Sequence, residues 1–263
     1  MGILGTNSVF LSYLTLSRLH GHLPLFKMVF SSSLFLLSAF FSAFSLPSSE
    51  ASYQQCDFDQ LLSALHTFAT VAKLPQGVSY SSNDTNLEKT QTKELENAYL
   101  TNGAHGASQR FFDFCNGKRE MYQKLGPKKF AHCIDATTFL AHGYKTSAAI
   151  MFKKFFERLR YECGSAFPTF MKNMDKFMFA NINMTDSFKP CLKAYLHGQG
   201  SRDECGVLQS YYMCQSNVYL TASGSLDLAY AVCETTRRGE IVRIPECSTP
   251  EYFCSFEKLS QMN

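Results

Sequence analysis

Residues 146–163 read TSAAIMFKKFFERLRYEC, with Ala149, Phe152, Phe156, Leu159 and Cys163 on one stripe and Lys153, Lys154, Glu157, Arg158 and Arg160 largely around the rest. Apolar residues three and four apart share one face of an α-helix, because 3.6 residues complete a turn. The stretch therefore predicts an amphipathic helix with its apolar side in a core, its cations in solvent and a cysteine on its buried stripe.

The same period continues on both sides of this helix. Downstream, Pro168 opens a helix with the stripe Phe170, Met171, Met174, Phe177 and Met178, which fades at Asn181. Asp186 or Ser187 is placed to cap the next, which holds Cys191, Leu192, Tyr195 and Leu196 and ends at Gly198. Ser201-Arg-Asp-Glu204 has the form of a capping box for a helix with Cys205, Leu208 and Tyr212. Leu228, Val232 and Cys233 mark another helix, before a charged turn at Arg237-Arg238-Gly239 and a short strand at Ile241-Val-Arg-Ile244. Thr249-Pro250 predicts a last short helix containing Cys254.

Upstream, Phe58, Leu61, Leu62, Leu65, Phe68, Ala69 and Ala72 form a helical face that Pro75 and Gly77 close. Residues 77–92 (GVSYSSNDTNLEKTQT) are too polar to offset their ordering entropy and predict an exposed loop. A weaker helix follows over 93–100, with a break at Asn102-Gly103. Residues 109–125 predict a helix through Phe111, Phe112, Cys115 and Tyr122 that Asn116-Gly117 is placed to divide. Pro127 then starts a helix running to Gly143. The whole is an all-α, disulfide-stabilised bundle of seven to nine helices, with an N-terminal helix and polar loop over 46–110 and a cysteine-rich helical domain over 111–263.

Ten cysteines, Cys56, Cys115, Cys133, Cys163, Cys191, Cys205, Cys214, Cys233, Cys247 and Cys254, occupy this part, and none lies in the first 55 residues. An even number without a CxxC pair predicts bridges formed in an oxidising compartment rather than zinc ligands or a thioredoxin-like site. Spacing alone does not choose among roughly nine hundred pairings. Cys56 and Cys115 are expected to tie the N-terminal helices together, with most bridges among the other eight internal to 133–254.

Residues 29–44 (VFSSSLFLLSAFFSAF) follow Lys27, carry no charge and end in small residues, the order of a secretory signal. Residues 28–45 are read as the signal peptide, cut after Ser45 or, alternatively, after Ala51. The 16-residue run is short of the roughly 20 that a spanning helix needs, so no stable membrane anchor is expected. Residues 1–27 form an extension to which no fold is assigned. With Arg18 and Lys27 removed from 25 basic and 22 acidic residues, the formal charge is +1, which argues against nucleic acid as a partner.

Two sequons, Asn83-Asp-Thr and Asn183-Met-Thr, fall in predicted connections, and both asparagines are read as glycosylation sites. Catalytic and metal patterns are weak by comparison. His66, His105, His132, His142 and His197 are scattered, there is no GxSxG or HExxH, and His132-Cys133 suggests a nucleophile only with a free thiol. The sequence thus predicts neither an enzyme nor a cofactor.

The region 115–254 resembles the cysteine-rich, helical secreted domains expanded in nematodes, among them families named after chondroitin proteoglycans. The resemblance rests on Tyr161-Glu-Cys-Gly164, Lys189-Pro-Cys-Leu192 and Cys205-Gly-Val-Leu-Gln-Ser-Tyr-Tyr-Met-Cys214. It implies a secreted, bridged helical fold. The expected role is a non-enzymatic extracellular interaction or structural module, binding another protein or a glycan. The alternative is a carrier of a small apolar ligand beneath the Phe/Met stripe.

Overall fold

The computed structural model describes residues 56–75 and 87–261, so the signal-peptide reading of 28–45, the 1–27 extension and Asn83 lie outside the described residues. Within them the chain forms eleven α-helices and two 3-10 turns, with no strand. The all-α expectation holds.

Helix α1 (Phe58–Val71) opens at Asp57, whose carboxylate accepts from the Gln60 amide at 3.1 Å, and it buries Leu61, Leu65 and Phe68. It packs on α2 (Leu87–Leu125), a long helix bent at Asn102 and Gly103, where φ of +60° at Gly103 interrupts the α-geometry. The expected break is therefore present, but residues 87–92 of the expected loop are helical, because Leu87 and Gln91 are buried against neighbouring helices. Asn116-Gly117 does not divide α2. Gly117 marks a close approach instead: a Cβ there would sit 2.9 Å from the Phe68 carbonyl oxygen and 3.1 Å from Ala72 Cβ. The core-facing stripe of α2 is also turned from the one expected, since Phe111, Phe114, Met121 and Leu125 are buried while Phe112 and Tyr122 are exposed.

Residues 127–143 make two helices, α3 (Pro127–Cys133) and α4 (Ala136–Ala141), rather than one. Asp135 explains the split, because its carboxylate accepts from the Thr137 amide at 3.0 Å and the Thr137 hydroxyl at 2.7 Å and so caps a new start. Helix α5 (Thr146–Glu162) matches its expected extent, and Phe139 of α4 stacks on its Phe152 with centroids 4.7 Å apart. The Phe/Met segment also splits, into α6 (Phe167–Lys172) and α7 (Met174–Asn183), at Asn173, whose side-chain amide donates to the Thr169 carbonyl at 2.9 Å.

Helix α8 (Thr185–Gly198) begins ahead of Asp186 and Ser187, and neither caps it. Helix α9 (Glu204–Ser223) is capped by Asp203, which accepts from the Gly206 amide at 2.9 Å, in place of the expected Ser201 box. Helix α10 (Leu226–Glu240) starts at Ser225 and takes in Arg237-Arg238-Gly239, so these residues are helical rather than a turn. Arg237 is buried, holds Glu234 through two bonds of 2.7 and 2.8 Å, and lies over the Phe253 ring. Ile241-Val-Arg-Ile244 is a turn with no strand to pair with, and Ile244 joins a core of Tyr195, Leu208 and Tyr212. Thr249-Pro250 opens only a 3-10 turn, and Cys254 precedes the last helix, α11 (Phe256–Ser260).

All ten cysteines are paired: Cys56–Cys133, Cys115–Cys163, Cys191–Cys214, Cys205–Cys247 and Cys233–Cys254. Cys56 and Cys115 therefore tie the N-terminal helices to α3 and to the end of α5 rather than to each other. The other three bridges are internal to 191–254, as expected. Closing loops of 21 to 77 residues removes unfolded-state freedom worth about 3–4.5 kcal/mol per bridge, several times a typical helix cap.

Asp135 also meets Lys153 at 2.7 Å. Burial alone would raise its pKa, but the Lys153 ammonium and the Thr137 bonds outweigh this and hold it at about 2. A carboxylate depressed on folding stabilises the fold above its unfolded value, near 3.8, and loses that contribution as pH falls toward 2. Asp135→Ala should lower stability at pH 7 by about 1–2 kcal/mol. In urea titrations the gap between variant and parent should close as pH falls from about 4 to 2; a gap independent of pH contradicts the assignment.

Candidate functional site

Helix α5 is covered on two sides. Its apolar stripe meets α1, α2 and α4, while Lys154, Arg158 and Glu162, on the far side, face α2 and α10. The sequence places Lys154 and Arg158 in solvent, but both side chains are largely covered. Arg158 pairs with Glu88 of α2 and, at 3.4 Å, with Glu162 one turn along α5. Gln91 donates to the other Glu162 oxygen at 3.2 Å. Lys154 pairs with Glu240 of α10, whose second oxygen accepts from the Tyr195 hydroxyl at 2.9 Å. Gly239 makes room for this arrangement, because a Cβ there would lie 2.9 Å from both Cγ and Cδ of Arg158.

Glu88, Arg158, Glu162 and Glu240 border a cavity of about 200 Å³ between α2, α5, α7, α9 and α10, to which α6 and α8 each add a phenylalanine. Phe170, Phe177, Phe188 and Tyr219 form its aromatic side, with Tyr219 stacked on Phe177 at 5.4 Å and donating to Asn181 at 2.9 Å. Tyr211, Gln215, Thr235 and Thr236 form its polar side. Gln215 donates to the Tyr211 oxygen at 2.8 Å and accepts from Thr236 at 3.1 Å. A pocket is therefore present beside the Phe/Met helices, but it is open and its lining is mixed, unlike the closed apolar cavity that the carrier alternative calls for.

Two residues that line this cavity hold a buried polar atom with no hydrogen-bond partner among the described residues: Nε of Arg158 and the hydroxyl of Thr235. Buried polar groups are nearly always satisfied, so two unpaired ones in residues that line one cavity single it out as the candidate site. The space is more than ten times the roughly 10–15 Å³ that one water needs. Arg158 lies between two carboxylates, so the triad carries a net charge of −1. Burial opposes the Arg158 charge but Glu88 and Glu162 outweigh it, and its pKa moves up; the Arg158 cation in turn lowers that of Glu88 despite the cost of burial. Arg158 and Glu88 therefore stay ionised at neutral pH. Burial, first of all, raises the pKa of Tyr211 and Tyr219, so both phenols stay protonated and can donate.

Of the residues singled out from sequence, the ten cysteines are brought together in pairs and none lines this cavity. Asn183 is the last residue of α7, exposed, with its amide donating to the Phe179 carbonyl at 3.1 Å. Cys133, beside His132, is bridged and so is not a nucleophile. Among the described residues no group of three His, Cys, Asp or Glu side chains is placed to hold a metal ion. No helix there is long and apolar enough to cross a membrane.

Arg158, Glu162, Gln91 and Thr235 were missed by the sequence reading. The available signal was the i, i+4 pair Arg158 and Glu162 opposite an apolar stripe, which is equally what a solvated helix face shows. No family model, curated protein or solved structure matches the chain.

Removing one partner from a largely buried ionic cluster leaves its opposite charges uncompensated. Arg158→Met should therefore destabilise the protein by about 3 kcal/mol, and adding Glu162→Gln should recover about half of this in urea titrations. A loss below about 0.5 kcal/mol, the size of an exposed pair, contradicts the burial of the triad.

Proposed function

We propose that the protein is secreted and acts outside the cell as a non-enzymatic binding module, with a small ligand held in the cavity between α2, α5, α7, α9 and α10. The leader over 28–45, the cysteines confined to the chain after it, and their five bridges support the compartment. The resemblance of 115–254 to secreted nematode cysteine-rich domains supports the same reading, with Asn83 and Asn183 as N-glycan acceptors.

The observation that carries the binding reading is a cavity with an aromatic wall whose lining residues Thr235 and Arg158 each hold a buried donor without a partner among the described residues. These two donors call for an acceptor on the ligand. The aromatic side calls for an apolar or ring-bearing body, and the excess carboxylate charge of the triad disfavours an anion. The ligand class is thus a small, uncharged, amphipathic molecule carrying a carbonyl, ether or hydroxyl oxygen. This refines the carrier alternative and leaves the protein surface available for a macromolecular partner.

Native mass spectrometry of protein from a secreting host tests the proposal. The expected spectrum shows the bridged chain, its N-glycans and an added small mass released by mild activation. Thr235→Val, which keeps the shape and deletes the hydroxyl, should reduce the retained fraction about three- to tenfold. A native mass equal to chain plus glycans alone contradicts the ligand reading.

A further inference from the structure

A second concave surface lies on the opposite flank of α5, along its seam with α2. Cys115 meets Cys163 there while Lys118 lies near Arg160, so the two helices run antiparallel with a bridge at one end. Two depressions of about 340 and 290 Å³ adjoin along the seam and share Lys118 and Tyr122 as common walls. Residues 112, 115, 119 and 122 follow one another at helical spacing, which strings the surface along roughly 15 Å of α2.

The seam carries one cation more than its carboxylates balance. Lys118, Arg119, Lys153 and Arg160 border it with Glu157 and Asp135, and Arg119 pairs with Glu120 at 3.5 Å. Glu157 and Asp135 are already engaged, by Arg160 at 3.2 Å and by Lys153 at 2.7 Å. Lys118 has no carboxylate partner among the described residues. It leans toward the Tyr122 ring, 5.8 Å from its centroid, and its partial burial together with the Arg160 cation lowers its pKa. A half-buried lysine beside a second cation, with no anion supplied by the fold, is an arrangement that an incoming anion relieves. The floor is aromatic: Phe112 and Tyr122 are 42 % and 39 % exposed, and Phe167 lies beside them.

We propose that this seam, with Lys118, Arg119, Lys153 and Arg160 around exposed Phe112 and Tyr122, docks an acidic glycan bearing sulfate or uronic carboxylate groups. Aromatic faces accept the apolar faces of sugar rings, and the guanidinium and ammonium groups accept their anions. An acidic peptide is less well served, because a helical wall offers few free backbone groups to an extended chain. A lipid surface is less well served because the rings lie in a groove rather than on a projecting face.

Binding of heparin oligosaccharides, chondroitin sulfate and neutral dextran to the secreted, bridged protein tests this by titration calorimetry at low and physiological salt. The expected result is binding to one or both acidic glycans that weakens with salt, and none to dextran. Lys118→Gln/Arg119→Gln/Arg160→Gln should weaken it at least tenfold. A charge-matched variant away from the seam, Lys172→Gln/Lys189→Gln/Lys193→Gln, should change it less than twofold. Glu157→Gln, which frees Arg160, should tighten binding about threefold, an outcome that misfolding cannot produce. Equal losses in the two triple variants overturn the proposal, as does binding of polyglutamate or phosphatidylserine vesicles as tight as that of the glycans.

Discussion

The contact on which most of this molecule depends is the one between α2 and α5, fixed covalently by Cys115–Cys163. Helix α5 has neighbours on nearly every side. Its Phe152, Phe155, Phe156 and Leu159 close an aromatic core with Phe68, Phe114 and Phe139, while its opposite face carries ions that α2 and α10 cover. A helix in that position has little freedom to shift without opening either the core or the ionic cluster. The bridge holds the end of α5 where neither layer alone would, because apolar burial is indifferent to small slides and ion pairs are costly to desolvate.

The division of labour among the bridges follows from the same geometry. Two of them, Cys56–Cys133 and Cys115–Cys163, bind the N-terminal helices to the aromatic core. The other three lie within 191–254, where a smaller core of tyrosines and cysteines has less apolar area to bury. There covalent closure substitutes for hydrophobic stabilisation, as it does in small extracellular domains.

Much of this was legible in the sequence, and the reasons for the rest are physical. Strong 3.6-residue stripes placed α1 and α5, and Asn102-Gly103 marked the bend of α2, because only glycine adopts a φ of +60° there without strain. Short splits were not legible: whether Asp135 or Asn173 ends one helix or starts the next depends on a side-chain bond worth about 1 kcal/mol. The IVRI segment has strand propensity but no partner, and tertiary context decided it. The cavity was hidden for a different reason. Arg158, Glu162 and Lys154 have the spacing of a solvated face, and only the placement of α2 and α10 over them turns that face inward. The cysteine positions did not choose Cys133 over Cys115 as the partner of Cys56.

A single measurement bears on the whole account: peptide mapping of protein expressed through a secretory pathway, by mass spectrometry under non-reducing conditions with thiols blocked before digestion. The fold requires five linked peptide pairs, Cys56 with Cys133, Cys115 with Cys163, Cys191 with Cys214, Cys205 with Cys247 and Cys233 with Cys254. Blocked free thiols at these positions, or a Cys56 to Cys115 linkage, would contradict both the proposed oxidising compartment and the α2–α5 seam on which the two proposed binding surfaces are built.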